Sequence, residues 1–149
     1  MKNLEYLNQY SYKIVEIEEI QLYSYKINYS ETRIIFLNYI RELYKGLKKK
    51  NIFNKMMKQG MYGVTIEENG KATYYVGTKE RNDNLHKIKI KKGKYAVFDC
   101  EGDNQIDIAP LIAYVYKNYS LFMDFKIDLN YCFEYYANNT CYVYIHIIA

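Results

Sequence analysis

One acidic residue, Glu134, lies in an otherwise aromatic stretch of the chain. Residues 131–136 read Tyr-Cys-Phe-Glu-Tyr-Tyr. Glutamate is a poor strand former and costs free energy when it is buried without a partner. A carboxylate partly removed from water among aromatic rings would attract a cation, and each ring that faces the cation adds about 0.5–2 kcal/mol. The alternative is a solvated glutamate at a sheet edge, or one paired with a lysine.

The aromatic composition also favours a lined cavity or an interface, since the chain has 20 tyrosines, six phenylalanines and no tryptophan. A tyrosine combines a large apolar ring with a hydroxyl that needs a partner when it is buried. The residues proposed to line a ligand site with Glu134 are Tyr62, Tyr75, Tyr119 and Tyr144. An even-length loop at Asn138-Asn139 would pair Glu134 with Val143 and put Tyr144 on the other sheet face, whereas an odd loop or a bulge would reverse this.

Other chemistries have little support in the sequence. His86 and His146 have no Cys, His or carboxylate nearby at the spacing of metal ligands, so we expect no metal site. The serines lack a GxSxG context, and no glycine-rich phosphate-binding loop occurs. We therefore expect no cofactor and no catalytic residue, unless Glu134 acts as a general base.

Net charge and cysteine usage indicate which partners and which cellular compartment to expect. The formal net charge of +4 is too small to require a nucleic acid or an anionic membrane as partner. The longest apolar stretches are far shorter than the roughly 20 residues that cross a bilayer, so we expect no membrane segment. Cys100, Cys132 and Cys141 are an odd number without CxxC spacing, which is typical of the reducing cytoplasm.

The first half of the chain is predicted to form a strand, a helix and a hairpin. Residues 14–28 are rich in Ile, Val and Tyr and predict a long, bent strand. A helix follows from Ser30, with the apolar positions Phe36, Ile40, Leu43 and Leu47 on one face. Residues 61–67 and 71–78 predict two strands joined at Asn69-Gly70, the strongest short hairpin signal.

The second half repeats this order, with a strand over residues 87–100 that turns at 91–93, a helix over residues 106–119 and a hairpin around Asn138-Asn139. Its helical stripe is that of the first half shifted by 72 residues, to Ile108, Ile112, Val115 and Tyr119. We therefore predict one α+β domain, residues 1–149, of tandem β-α-β-β units at about 14–79 and 85–149. Pseudo-twofold antiparallel sheets with two main helices would enclose a central groove, and the counterpart of Glu134 would be Val64.

Several motifs from residue 74 onward resemble those of a known family. They are Tyr-Tyr-Val-Gly at residues 74–77, Gly-Lys-Tyr-Ala-Val-Phe at 93–98, Ile-Ala-Tyr-Val-Tyr at 112–116, and the closing hairpin at 131–136 and 142–147. From about residue 72 onward the chain resembles the GyrI-like small-molecule-binding family. That domain also occurs as the effector-binding half of AraC-type and MerR-type regulators. Before residue 72 only the order of elements agrees.

The resemblance implies a groove that accepts diverse apolar, often cationic, aromatic compounds, with Glu134 as the glutamate that faces the ligand. Tyr119 stands where the family often has a tryptophan. Only about 13 residues precede the first predicted strand, so we expect no helix-turn-helix and no direct DNA binding. The leading hypothesis is a stand-alone multidrug-type binding protein in the cytoplasm. Two alternatives stay open: hydrolysis of reactive, cyclopropane-type natural products, and action on a protein partner such as gyrase.

Overall fold

The computed structural model describes residues 5–7, 10–29, 52–101, 105–122, 124–137 and 140–148. The strands are β1 (Glu5–Leu7), β2 (Tyr10–Ile17), β3 (Ile20–Tyr29), β4 (Met61–Glu68), β5 (Lys71–Thr78), β6 (His86–Ile90), β7 (Gly93–Glu101), β8 (Ile127–Ala137) and β9 (Thr140–Ile147). The helices are α1 (Ile52–Gln59) and α2 (Gln105–Phe122). The strands form one antiparallel sheet in the order β1-β2-β7-β9-β8-β4-β5-β3-β6. The fold is therefore an α+β fold dominated by an antiparallel sheet.

The helix predicted over residues 106–119 is confirmed as α2, whereas the helix predicted from Ser30 lies outside the described residues. The sequence analysis did not predict α1. This short helix buries Met56 against the core and stops where Gly60 takes a φ of 90°, a backbone conformation that suits glycine. None of the helices in the described ranges is long and apolar enough to span a membrane.

Both predicted hairpins are present. The first turn has Asn69 at φ 54° and Gly70 at φ 77°, the left-handed pair that a two-residue Asn-Gly turn requires. In the second hairpin, Ala137 pairs with Thr140, which leaves two residues for the loop. The register of β8 and β9 is constant from Cys132 to Ala137, and its irregularity lies earlier, between Ile127 and Cys132.

The predicted bent strand over residues 14–28 is in fact two strands, β2 and β3, at far-apart positions in the sheet. Ile17 of β2 pairs with Gly93 of β7, and Ile20 of β3 pairs with Ile90 of β6, so the register continues unchanged across the two short links. β2–β3 and β6–β7 therefore form one continuous, bent ribbon. Since a two-residue link spans only about 11 Å, the sheet must curve back until its two ends meet at this ribbon.

Each face of the sheet has its own core. On the helix face, the buried residues that pack together include Met61, Tyr74, Val76, Phe98, Leu111, Val115, Cys132, Tyr136 and Val143. On the opposite face, here called the tyrosine face, they include Leu22, Tyr62, Val64, Ile90, Tyr95, Tyr131 and Phe133. Because side chains alternate along a strand, neighbouring residues of β8 belong to different cores.

Candidate ligand-binding site

Glu134 lies in the helix-face core. Its neighbours on the same face of β8, Cys132 and Tyr136, pack with residues of α2, whereas Phe133 belongs to the tyrosine face. The glutamate is 3% exposed. It pairs with Val143 of β9 on one side and with Gly63 of β4 on the other. The even-loop alternative is therefore the one observed, and the solvated edge-strand alternative does not hold for this residue.

Two tyrosine hydroxyls hold the carboxylate. Tyr74 Oη on β5 donates a hydrogen bond of 2.7 Å to Glu134 Oε1, and Tyr136 Oη on β8 donates one of 3.2 Å to the same oxygen. Both rings are almost completely buried. Hydrogen bonds to an ionised acceptor are the stronger ones, so the two phenols stabilise the charged carboxylate inside the core.

The missing side chain of Gly63 makes room for this arrangement. A Cβ at Gly63 would lie 2.8 Å from Glu134 Oε1 and would overlap the Tyr74 hydroxyl. A glycine inside a strand weakens the strand unless another group approaches closely, and here the hydroxyl and the carboxylate do so. Val64, the predicted counterpart of Glu134 in the duplication, lies on the tyrosine face. The residue that pairs with Glu134 across β4 and β8 is Gly63.

Burial changes the acidity of the site. Removal from water raises the pKa of the Glu134 carboxyl to about 7, and the hydrogen bonds from Tyr74 and Tyr136 offset only part of that increase. The carboxyl therefore changes charge near neutral pH. A cation that enters the site would favour the ionised form, and an empty site at lower pH would keep the proton.

The structure brings one of the four proposed tyrosines to the side of the sheet on which Glu134 lies. Tyr119 of α2 packs, partly buried, against the helix-face core. Tyr62, Tyr75 and Tyr144 instead pack on the tyrosine face. The structure therefore does not bring these three together with Glu134 in a single groove. Side chains alternate between the two faces along β4, β5 and β9, so a change of one position in the sequence moves a side chain to the other face.

Sequence reasoning missed Tyr74, Tyr136 and Gly63. Tyr136 could have been found, because a residue two positions from Glu134 on a strand must share its face. Gly63 carried the signal of a glycine inside a strand. Tyr74 could not have been distinguished from Tyr75 without the register between β4 and β8, which joins the acid to the first half of the chain.

The described residues contain no group of three or more His, Cys, Asp or Glu that could hold a metal ion. His146 Nδ1 lies 3.5 Å from Asp128 Oδ2, and the imidazole packs against the rings of Tyr95 and Tyr131. The histidine lies at the border of the tyrosine-face core, and its buried Nδ1 makes no hydrogen bond to any residue that the structure describes. It does not contribute to the Glu134 site.

Solved structures share this fold at low sequence identity. A candidate bacterial transcription regulation protein from Staphylococcus aureus MU50 is 15% identical, with a TM-score of 0.77 over 93% of this chain and 98% of that one. SAV2435, whose structure was solved bound to tetraphenylphosphonium, is 15% identical in sequence to this chain. Its TM-score is 0.76, over 93% of this chain and 94% of SAV2435. The integron cassette protein VCH_CASS2, from the mobile metagenome of Vibrio cholerae, is 19% identical, with a TM-score of 0.69 over 99% and 100%.

The family model that matches this chain places it in the class of effector-binding proteins, which confirms the resemblance seen in the sequence. Within that class, the chain belongs to the Cass2 family of integron-associated effector-binding proteins, whose family model matches residues 13–147. No curated protein matches the chain.

Proposed function

We propose that this protein binds amphipathic, cationic aromatic compounds on the helix face, with the carboxylate of Glu134 as the counter-charge. The observation that carries the proposal is a glutamate, 3% exposed, that two tyrosine hydroxyls hold inside an aromatic core. Such a buried acid lowers the stability of the fold when it ionises, so a function in binding accounts for its presence.

The rings around the carboxylate support the same ligand class. Tyr74 and Tyr136 both contact the acid, and partly buried Tyr119 borders the same core. Aromatic faces attract a cation with delocalised charge and also provide apolar surface for its substituents. SAV2435, which has this fold, was solved with tetraphenylphosphonium, a cation of this chemistry.

Isothermal titration calorimetry with tetraphenylphosphonium at pH 8 tests the proposal. The variant Glu134→Gln keeps the shape of the side chain and removes its charge, and we expect its affinity to be at least about ten-fold lower, because a unit charge pair about 4 Å apart contributes several kcal/mol in a protein environment. Glu68→Gln is the matched control, since it removes the same charge from an exposed position and should leave the affinity unchanged.

Tetraphenylborate, which has nearly the same shape and the opposite charge, separates electrostatic from apolar binding. We expect the wild-type protein to prefer the phosphonium and Glu134→Gln to lose that preference. Equal affinities of the wild type and Glu134→Gln for the phosphonium would refute the role of the carboxylate.

A second candidate function, hydrolysis of a reactive aromatic natural product, is favoured by one observation. Because burial raises its pKa to about 7, Glu134 is basic enough to accept a proton from an attacking water near neutral pH. Release of a hydrolysed product over several turnovers, abolished in Glu134→Gln, would indicate the enzyme. Stoichiometric binding of an intact ligand would indicate the binding protein.

We also propose that the chain is a tandem duplication with a pseudo-twofold axis, two main helices and a groove at the seam. The strand order supports this, because exchanging β2, β3, β4 and β5 with β6, β7, β8 and β9 gives the same order read from the other end of the sheet, with β1 left aside. The axis would then pass between β4 and β8, where Gly63 pairs with Glu134. The proposed place of action is the cytoplasm, in keeping with an odd number of cysteines that lack CxxC spacing.

A further inference from the structure

A cavity opens on the tyrosine face, on the side of the sheet opposite Glu134. It has a volume of about 320 Å³ and lies over the β4–β5 hairpin, with Tyr75 and Ile66 among its walls. Both residues are partly buried and pack against the tyrosine-face core. Tyr74 and Tyr75 are consecutive in β5, so the first ring serves the Glu134 site and the second ring faces this cavity.

The charges around this cavity differ from those at Glu134. Lys26 and Lys71 are both exposed and contribute to its walls, together with a single acid, Glu68. Lys26 pairs with Tyr75 across β3 and β5, whereas Lys71 pairs with Glu68 beside the hairpin turn. Lys71 and Tyr75 are four residues apart on one strand, about 13 Å, so the two lysines are attached to the sheet at different ends of the cavity lining.

The hydroxyl of Tyr75 is a hydrogen-bond donor in this cavity. Burial, and secondly the charge of Glu68, raises the pKa of Tyr75, so the phenol keeps its proton at every physiological pH. The walls therefore offer an aromatic ring, an isoleucine side chain and two ammonium groups. Their other polar groups are the hydroxyls of Tyr75 and Thr73, the amide of Asn69 and the carboxylate of Glu68. The volume is at the lower end of the range for small-molecule pockets.

We infer that this cavity is a second ligand site, separate from the Glu134 site, and that it takes planar aromatic anions such as aromatic carboxylates or sulfonates. The ring of the ligand lies against Tyr75 and Ile66, and its acidic group pairs with Lys26 or Lys71. The sheet thus separates two sites of opposite charge preference.

The probe for this site is 1-anilinonaphthalene-8-sulfonate, an anion with a planar naphthalene ring whose fluorescence rises when it leaves water. A unit charge about 6 Å away in an exposed setting changes affinity about three-fold, so Lys26→Gln with Lys71→Gln should weaken binding about ten-fold, and more so at low salt. Glu68→Gln removes the repelling charge and should tighten binding about three-fold. All three positions are exposed, so that these variants keep the core intact.

Two further measurements separate this site from the Glu134 site. An excess of tetraphenylphosphonium should not displace the dye, and Glu134→Gln should bind the dye as the wild type does. Failure of the Glu134 proposal would leave these results unchanged, because they depend on the opposite face. Displacement by the phosphonium, or equal dye affinity in the wild type, the double lysine variant and Glu68→Gln, would overturn the inference.

Discussion

The affinity for a cation at Glu134 should depend on pH, because burial raises the pKa of this carboxyl to about 7. A cation is attracted to the ionised carboxylate and not to the neutral acid, so it binds only the ionised fraction of the protein. For such a pKa, that fraction is about one tenth at pH 6, one half at pH 7 and nine tenths at pH 8. The affinity for tetraphenylphosphonium should therefore increase about ten-fold from pH 6 to pH 8.

Calorimetry in buffers of different ionisation enthalpy measures the affinity and also counts the protons released. Because the ligand binds the ionised form, each binding event should release about 0.9 proton at pH 6, 0.5 at pH 7 and 0.1 at pH 8. Glu134→Gln has no proton to lose at this position and should bind weakly, with an affinity that is nearly independent of pH.

Two results would refute this reasoning. The same pH dependence in Glu134→Gln would assign the proton to another group. A wild-type affinity that is constant from pH 6 to pH 8, while Glu134→Gln still binds weakly, would mean that the tyrosine hydroxyls of the site lower the pKa of Glu134 more than burial raises it.

Two predictions concern stability, measured by urea unfolding with far-UV circular dichroism. Gly63→Ala should lower the free energy of unfolding by about 3 kcal/mol, because the new Cβ displaces the Tyr74 hydroxyl from Glu134. Adding Tyr74→Phe removes that hydroxyl and should recover part of the loss. If the double variant instead loses the sum of the two single-variant losses, the clash is contradicted. Glu134→Gln should be about 3 kcal/mol more stable than the wild type at pH 8 and equally stable at pH 4. The reason is that the folded-state pKa of Glu134 is raised from 4.5 to about 7, so the wild type loses stability as the pH rises through that interval. Equal stability at pH 8 would argue against the raised pKa.

Local signals in the sequence predicted much of the fold. The Asn69-Gly70 turn and helix α2 were found because each depends on residues close together in the chain, namely a left-handed dipeptide and an apolar stripe. The single bent strand predicted over residues 14–28 is instead the two strands β2 and β3, which pair with different partners. The sequence could not show this, because strand pairing depends on contacts between residues far apart in the chain.

The candidate site was predictable only in part. Glu134 was identified because a charge in an aromatic strand is unusual, and its burial agrees with that interpretation. Its hydrogen-bond partners were not identified, since 20 tyrosines give no local sign of which face they occupy. Tyr62, Tyr75 and Tyr144 were predicted to line one groove with Glu134, but they lie on the tyrosine face. Their contacts with a ligand stay predictions.

The separation of the two sites depends on the register of β8 against β4. At present Glu134 is opposite Gly63, where the absent side chain leaves room for the carboxylate and for the Tyr74 hydroxyl. A shift of one residue along β8 would turn Glu134 to the tyrosine face and put Phe133 in its place on the helix face. The acid would then lose its phenol donors and stand on the face that carries the lysine-lined cavity. Gly63 therefore favours the register in which the proposed cation site and the proposed anion site lie on opposite faces of one sheet.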